Sequence, residues 1–306
     1  MAQPLVSVIC LCYNQASFVV EALESVVNQT YSNVELIIVD DASTDASQQV
    51  IRQWLNNQPR EYKHLLLNEN VGNCRAFNRG YALSSGQYVI DLAADDLLHP
   101  DRIAKGVAKL EQLDKSWGVE FTDAWFIDEE GEVTGSHYPR STNGELLVKV
   151  PAGYVYTELL KRYFICAPTQ LYRREVLEDL GGYDETLAYE DFDFWVRAGN
   201  KYKFAFTPEL LVSKRKVEGS WSSKQYDGKS RQLQSTLEVC QKAGELNTSK
   251  AEDKALGSRI KYEMRQAWLS KQSAIAYNFW QLKRRVNPEF IDFIYLLFVY
   301  KGSSIK

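Results

Sequence analysis

Two pairs of adjacent aspartates are the residues best suited to chemistry in this sequence of 306 residues: Asp40–Asp41 and Asp95–Asp96, each of which follows an apolar, strand-like segment. One acidic pair in such a position can simply cap the next helix. Two pairs at one rim would concentrate negative charge, which favours a compensating cation bound between carboxylate and phosphate. Because all the donors are oxygens, the sequence predicts Mg²⁺ or Mn²⁺ and not zinc.

The sequence lacks the motifs of several other common kinds of site. The three histidines are far apart, and the five cysteines have no C-x-x-C spacing, so a zinc centre or a redox pair is not indicated. The segment Cys12–Ala16 after the first apolar run is not a G-x-G-x-x-G turn, and no G-x-x-x-x-G-K-[ST] occurs in the sequence. These absences disfavour a dinucleotide-dependent dehydrogenase and a P-loop NTPase.

The elements that must position the aspartates alternate between strand-like and helix-like patterns over residues 4–113. The strands that we predict are Leu5–Tyr13, Glu35–Asp40, His64–Leu67 and Tyr88–Ala93. The helices are predicted at Phe18–Gln29, from about Asp45, after Gly72, and with Pro100 in the first turn. Ligands of open parallel sheets bind beyond the carboxyl ends of the strands, so we expect both acidic pairs to face one crevice.

The rest of the chain has a different character. Residues 117–171 are irregular and rich in turn signals, and the sequence after about residue 228 is helical. From Lys214 onward, basic residues outnumber acidic ones two to one, so the preceding part is net acidic. We predict a domain over 1–225, with halves 1–115 and 116–225, and a helical extension over 226–306.

The motifs between residues 5 and 215 resemble family 2 of the glycosyltransferases, whose fold is called GT-A. The matching segments are Val6–Ile9 with Tyr13–Asn14, Val26–Tyr31, Glu35–Asp45, Asn70–Gly72, Asn78–Gly80, Gly86–Tyr88, Asp95–Asp96 with Pro100, Gly181–Glu185 and Glu190–Trp195. The resemblance implies an α/β protein with a doubly wound, mostly parallel sheet. A Rossmann-like nucleotide half would be followed by a mixed acceptor half and the helical extension.

The resemblance also implies a nucleotide-sugar donor and a role for each matching residue. The residues expected to contact the donor are Tyr13, Asn14, Asp41, Asn70, Gly72, Asn78 and Asp95. Asp96 is expected to hold Mn²⁺ or Mg²⁺ against the donor diphosphate. The family often has an acidic residue two places before the first aspartate of this pair, where the chain has Ala93.

Asp191 is the residue that the resemblance identifies as the general base of an inverting transfer to an acceptor hydroxyl. By position alone, Glu190 and Asp191 could equally be acidic partners of a helix N-terminus. The family often has a histidine near position 218, and none occurs there, which leaves a further metal contact in doubt.

Two classes of function remain open. The first is an active hexosyltransferase, with a UDP-sugar as the first donor to test and a saccharide or lipid-linked saccharide as acceptor, in the synthesis of a cell-surface polysaccharide or glycoconjugate. The second is a non-catalytic module that binds a nucleotide sugar or a glycan. A nucleotidyltransferase is disfavoured, because no glycine-rich phosphate loop with a following Lys or Arg lies near the first strand. Fold alone does not separate these classes.

The basic C-terminal part allows two interpretations. Lys283–Arg285 precedes an apolar block at Phe290–Tyr300 that is too short to span a bilayer. The block could lie on an anionic membrane, which would suit a lipid-linked acceptor, or pack on the body or in a homodimer interface. No nucleic-acid-binding module is recognisable. Without a secretory signal, we expect a cytoplasmic protein, with a peripheral place on the inner face of the membrane under the first interpretation.

Overall fold

The computed structural model describes residues 3–217, 225–227 and 231–289, which form two compact units. The first contains the residues up to Tyr154 together with Ile165–Glu185 and Lys201–Val217. The second contains Val155–Phe164, Thr186–Asn200 and the described residues from 225 onward. The predicted boundary after residue 225 remains a prediction, and the compact units group the chain differently, because two segments before that boundary belong to the helical unit.

The first unit is built on a mixed sheet of nine strands, counted over the described residues. The strands are β1 Val6–Cys12, β2 Val34–Asp40, β3 Lys63–Leu66, β4 Tyr88–Ala93, β5 Leu97–Leu98, β6 Trp117–Ile127, β7 Val133–Ser136, β8 Gln170–Arg173 and β9 Lys203–Arg215. Their order is β3-β2-β1-β4-β8-β6-β9-β5, with β7 paired to β6. Strands β3, β2, β1 and β4 are parallel, and β8 runs antiparallel to β4 and β6.

The helices follow the alternation expected from the sequence. They are α1 Val19–Val27, α2 Ser47–Asn56, α3 Asn73–Ala82, α4 Arg102–Glu111, α5 Tyr156–Lys161, α6 Arg174–Leu180, α7 Asp191–Lys201, α8 Gln232–Leu246, α9 Lys250–Leu269 and α10 Ser273–Val286. The four predicted strands and the helices between them are confirmed, with small shifts in their bounds. Pro100 lies before α4 instead of inside its first turn, because the helix begins only at Arg102.

Strands β2 and β4 are buried over most of their length, as is usual in a parallel sheet. Every residue of β1 is buried, including Ser7. Helix α3 lies so close to the sheet that a Cβ added at Gly80 would come within 2.7 Å of Ile9 and 2.8 Å of Val39. This contact fixes α3, and with it the loop that precedes the helix, at the carboxyl edge of the sheet.

The second unit is helical, as predicted for the C-terminal part. Phe192 and Val196 of α7 pack with Leu237, Ile260 and Phe279 from α8, α9 and α10 in one apolar core. Helix α9 begins with a capping box in which Ser249 and Glu252 exchange hydrogen bonds with each other's backbone.

The structure bears on the interpretation that the basic C-terminal part lies on an anionic membrane. Lys283 is only 1% exposed and donates a hydrogen bond to the carbonyl of Asn287, so its ammonium is not available to lipid headgroups. No helix within the described residues is both long and apolar enough to cross a membrane. The predicted block at Phe290–Tyr300 and the loop around Glu218 lie outside the described residues.

Candidate active site

Asp40 shapes the turn between β2 and α2. It is fully buried, and its carboxylate accepts hydrogen bonds from the backbone N–H and hydroxyl of Ser43 and from the amide of Gln48. A carboxylate with this many internal donors has a structural role. The capping interpretation of an acidic residue after a strand therefore fits Asp40.

Asp41 organises the loop between β3 and α3. Its two carboxylate oxygens accept hydrogen bonds from the backbone N–H groups of Val71, at 2.8 Å, and Gly72, at 2.9 Å. The amide of Asn70 donates to the backbone carbonyl of Asp41 at 3.1 Å. Burial raises the pKa of Asp41, and the two N–H donors oppose that effect. The structure thus brings together three of the predicted donor-binding residues.

Glycine is required at position 72 for a conformational reason. Its φ is +87°, in the left-handed region that other residues rarely adopt. With this conformation, the N–H of Gly72 points to Asp41 immediately before α3 begins at Asn73.

Tyr13 and Asn14 directly follow β1, beside the turn that Asp40 shapes. Asn14 has a φ of +56°, and its side-chain oxygen accepts a hydrogen bond from the backbone N–H of Thr44 at 2.7 Å. The ring of Tyr13 is 47% exposed, whereas the preceding Cys12 is buried. Asn14 therefore holds two loops together, and Tyr13 offers an aromatic surface next to them.

Asn78 connects α3 to the segment that follows α6. Its side-chain oxygen accepts from the N–H of Tyr183 at 3.0 Å, and its amide nitrogen donates to the carbonyl of Tyr183 at 2.8 Å and to Glu185. Gly182 makes this possible, because a Cβ there would lie 2.7 Å from the side-chain oxygen of Asn78. Asn78 therefore holds α3 to this segment, and the donor contact that the resemblance implies for it remains a prediction.

Asp95 and Asp96 follow β4 and differ in exposure. Asp96 is 4% exposed, whereas Asp95 is half-buried. Burial, followed by the charge of Asp95, raises the pKa of Asp96 to about 8, and the nearby Lys214 acts in the opposite direction. Burial also raises the pKa of Asp95. A bound cation would offset the repulsion between the two carboxylates, and the cation site itself remains a prediction.

Arg215 contacts both residues of this acidic pair. The sequence did not identify Arg215 as a site residue. Its backbone N–H donates to Oδ1 of Asp96 at 2.9 Å, and its guanidinium reaches the carbonyls of Asp95, Asp128 and Glu129 at 3.0 to 3.2 Å. It also forms an ion pair with Glu21 at 2.7 Å. Arg215 lies in the basic part of the sequence that begins at Lys214, and the apolar run before it is a strand signal. The structure places it at the end of β9.

The residues present fit a divalent cation only if other molecules complete its coordination. Asp95 and Asp96 supply oxygen donors, and the Ala93 position supplies none. Within the described part of the chain, no group of three His, Cys, Asp or Glu side chains could hold a metal ion. A cation here would therefore need ligands from phosphate or water, which is common for Mg²⁺.

Asp191, the predicted base, belongs to the second unit, whereas all the other predicted site residues belong to the first. It is the first residue of α7 and is half-buried. Two residues later, the buried Asp193 forms ion pairs with Arg197 at 2.6 Å and Lys242 at 2.8 Å. The acidic first turn of α7 thus contains one carboxylate with a clear structural role and one that is the candidate base.

Comparisons with known proteins identify the family of the chain. The model of the family described as glycosyl transferase family 2 matches residues 7–181. An uncharacterized glycosyltransferase of Methanocaldococcus jannaschii is 27% identical over 223 residues, which cover 70% of this chain and 72% of that protein.

Two solved structures share the fold. S. aureus TarS 1-349, in complex with UDP-GlcNAc, superposes with a TM-score of 0.73 at 19% identity, covering 97% of this chain and 88% of that one. The mannosyltransferase PcManGT of Pyrobaculum calidifontis, in complex with GDP-Man and Mn²⁺, gives a TM-score of 0.63 at 18% identity, covering 100% of this chain and 82% of that one. The expected GT-A fold is confirmed by these likenesses. Because the family model covers more than half of the sequence, the chain belongs to glycosyl transferase family 2.

Proposed function

We propose that this transferase moves a sugar from a nucleoside-diphosphate sugar, with UDP as the first nucleotide to test, to an acceptor hydroxyl with inversion of configuration. The observation that carries the proposal is the Asp95–Asp96 pair beyond the end of β4, with Asp96 buried and Asp95 half-buried, at the edge where ligands of parallel sheets bind. The solved relatives that hold UDP-GlcNAc, or GDP-Man with Mn²⁺, support the same class of donor.

The loops at this edge provide the nucleotide contacts. Tyr13 offers an exposed ring for the base, and Asn14 holds the adjoining turn. Each oxygen of Asp41 already accepts one N–H group, but a carboxylate oxygen has a second acceptor position that can receive a donor from the base. The loop with Asn70 and Gly72 is already folded onto Asp41, so little conformational entropy is lost when the nucleotide binds.

Asp96, with Asp95 beside it, would hold the Mn²⁺ or Mg²⁺ that neutralises the charge of the donor diphosphate. The chain's own contribution is to keep these carboxylates close together, with Asp96 buried. Burial strengthens the attraction between the carboxylates and any cation that they bind.

Asp191 is the general base in this proposal. Its carboxylate takes the proton from the acceptor hydroxyl as that oxygen bonds to the anomeric carbon. The bond between this carbon and the diphosphate oxygen breaks at the same time, and the nucleoside diphosphate leaves. A single displacement inverts the anomeric configuration. A saccharide or lipid-linked saccharide is the proposed acceptor, in the synthesis of a cell-surface polysaccharide or glycoconjugate.

The test is a screen of UDP-, GDP- and TDP-sugars with Mn²⁺ or Mg²⁺, which measures donor hydrolysis and transfer. Asp191→Asn should keep donor binding and lose transfer by a factor of about 100 or more, because general-base catalysis contributes on this order. Glu175→Gln is a matched control, since Glu175 also lies in the first turn of a helix. Full transfer by Asp191→Asn would remove the proposed base.

A non-catalytic nucleotide-sugar or glycan-binding module is the second candidate, and the observation that favours it is Ala93, which provides no metal ligand. In that case, the chain would bind a donor or a glycan without turnover of any sugar in the same screen.

A further inference from the structure

The segment that leads into α7 is linked to α8 by two hydrogen bonds, one from its backbone and one from a side chain. The N–H of Ala188 donates to Oγ of Ser235 at 2.9 Å. The hydroxyl of Tyr189 forms a hydrogen bond with Oγ1 of Thr236 at 2.7 Å. Ser235 and Thr236 are both buried, so these bonds are protected from water.

A salt bridge is the third link between this part of the chain and α8, and it joins the first turn of α7 to that helix. Asp193 is 1% exposed, and Lys242 pairs with its Oδ1 while Arg197 pairs with its Oδ2. A buried carboxylate is costly unless it is paired on both oxygens. The position of Lys242 therefore constrains the turn in which Asp191 lies, two residues before Asp193.

Helix α9 supports the same turn from a different direction. The guanidinium of Arg259 lies 3.8 Å from the ring centroid of Tyr163 and 5.2 Å from that of Phe192, and it pairs with the buried Glu263. The hydroxyl of Tyr163 in turn lies 3.1 Å from that of Tyr189. The residues on both sides of Asp191 are thus held by side chains of the C-terminal helices.

We propose that α8 and α9 are part of the catalytic apparatus because they position the general base, with Ser235, Thr236 and Lys242 as positioning residues. This inference rests on the proposed role of Asp191. A base must meet the acceptor hydroxyl within hydrogen-bond reach, and a displacement of about 1 Å can cost a factor of 100 in rate. The ties at positions 188, 189 and 193 hold the backbone of Asp191 on both sides and limit such displacement.

The experiment compares Lys242→Met, Lys242→Arg and Thr236→Val in the full chain. Methionine keeps the apolar stem of Lys242 without its charge, and valine keeps the shape of Thr236 without its hydroxyl. We expect kcat for transfer to fall roughly tenfold in Lys242→Met and Thr236→Val, with the donor dissociation constant unchanged within a factor of about two. Lys242→Arg should recover most of kcat, because arginine can remake the ion pair with Asp193.

The matched control is Lys115→Met, which removes a similar charge from the ion pair with Glu175, a pair with both partners well exposed. It should leave kcat unchanged. Unchanged kcat in Lys242→Met and Thr236→Val, or equal activity loss in Lys115→Met, would overturn the inference.

A double variant separates this inference from the function on which it rests. If Lys242 acts through Asp191, adding Lys242→Met to Asp191→Asn should not lower the residual rate further. A further tenfold loss would mean that Lys242 acts by another route. If Asp191→Asn itself keeps full transfer, the proposed base has failed. If Asp191→Asn abolishes transfer while the α8 variants stay active, only the positioning inference has failed.

Discussion

The backbone N–H of Arg215 donates a hydrogen bond of 2.9 Å to Oδ1 of Asp96, across 119 positions of sequence. The guanidinium of the same arginine binds the carbonyls of Asp95, Asp128 and Glu129. One residue at the end of β9 therefore holds both the acidic loop after β4 and the turn after β6. The shape of the proposed cation site depends on this residue as well as on the two aspartates.

The first prediction concerns that arginine. Arg215→Lys cannot bind several carbonyls at once, because an ammonium lacks the planar fork of a guanidinium. Metal-dependent donor binding should weaken about tenfold, or about 1.4 kcal/mol, in titration calorimetry with Mn²⁺. Arg173→Lys is the matched control, since Arg173 also binds backbone carbonyls, those of Trp117 and Leu110, but without contact to the acidic pair. Equal weakening in both variants would contradict the assignment.

The second prediction is that Asp96→Asn separates binding from stability. Asparagine keeps an oxygen for the N–H of Arg215 and cannot ionise, which removes the cost of placing a carboxyl group where burial raises its pKa to about 8. Donor affinity with Mn²⁺ should fall at least about tenfold, while the melting temperature at pH 7 should stay equal or rise, as at other strained functional sites. Asp114→Asn, at an exposed turn, serves as control for both measurements. A marked drop in melting temperature would show that Asp96 is structural.

The third prediction concerns the buried ion pair between Arg102 and Glu120, at 2.8 Å with both side chains fully buried. Gly106 allows this packing, because a Cβ there would lie 2.4 Å from the guanidinium. Glu120→Gln leaves a buried charge without its partner and should cost about 3 to 5 kcal/mol of unfolding free energy in urea titrations.

The double variant Arg102→Met with Glu120→Leu should lose less stability than the sum of the losses in Arg102→Met alone and Glu120→Leu alone. In the double variant neither buried charge remains. Additive losses in the same urea titrations would show that the two charges do not depend on each other.

The fourth prediction concerns pH. Burial alone would raise the pKa of Glu35, but hydrogen bonds from Ser7, the N–H of Ser85 and Lys63 outweigh it and lower the pKa from 4.5 to about 2. As the pH falls, the folded form therefore takes up this proton at a lower pH than the unfolded form does. The stabilisation is complete above pH 4.5 and is lost as the pH falls towards 2.

Glu35→Gln should reduce the slope of unfolding free energy against pH in this window, by the equivalent of up to about one bound proton. Denaturant titrations at several pH values measure this slope. Glu132→Gln, at an exposed turn, is the control and should keep the wild-type slope. An unchanged slope in Glu35→Gln would contradict the assignment.

Local patterns in the sequence determined the nucleotide half of the fold. The apolar runs of β1 to β4 and the periodic helices between them identify a parallel sheet, because each element needs only its own side-chain alternation to be recognised. The position of Asp41 and Asp96 after the ends of strands follows from the same alternation. The family could also be identified from local patterns, because its motifs are short and follow one another in order along the chain.

Only the tertiary structure decided which side chains meet. The partners of Asn78 are more than 100 positions away in sequence, Asp96 has a partner in β9, and Asp193 has one in α8. The burial of Lys283, which the sequence analysis assigned to a basic segment, is likewise visible only in the folded chain. Such contacts depend on strand order, on register and on the packing of helices, which no local pattern encodes. The sequence therefore determined which residues could carry the chemistry, and the packing of distant segments decided which residues hold them in place.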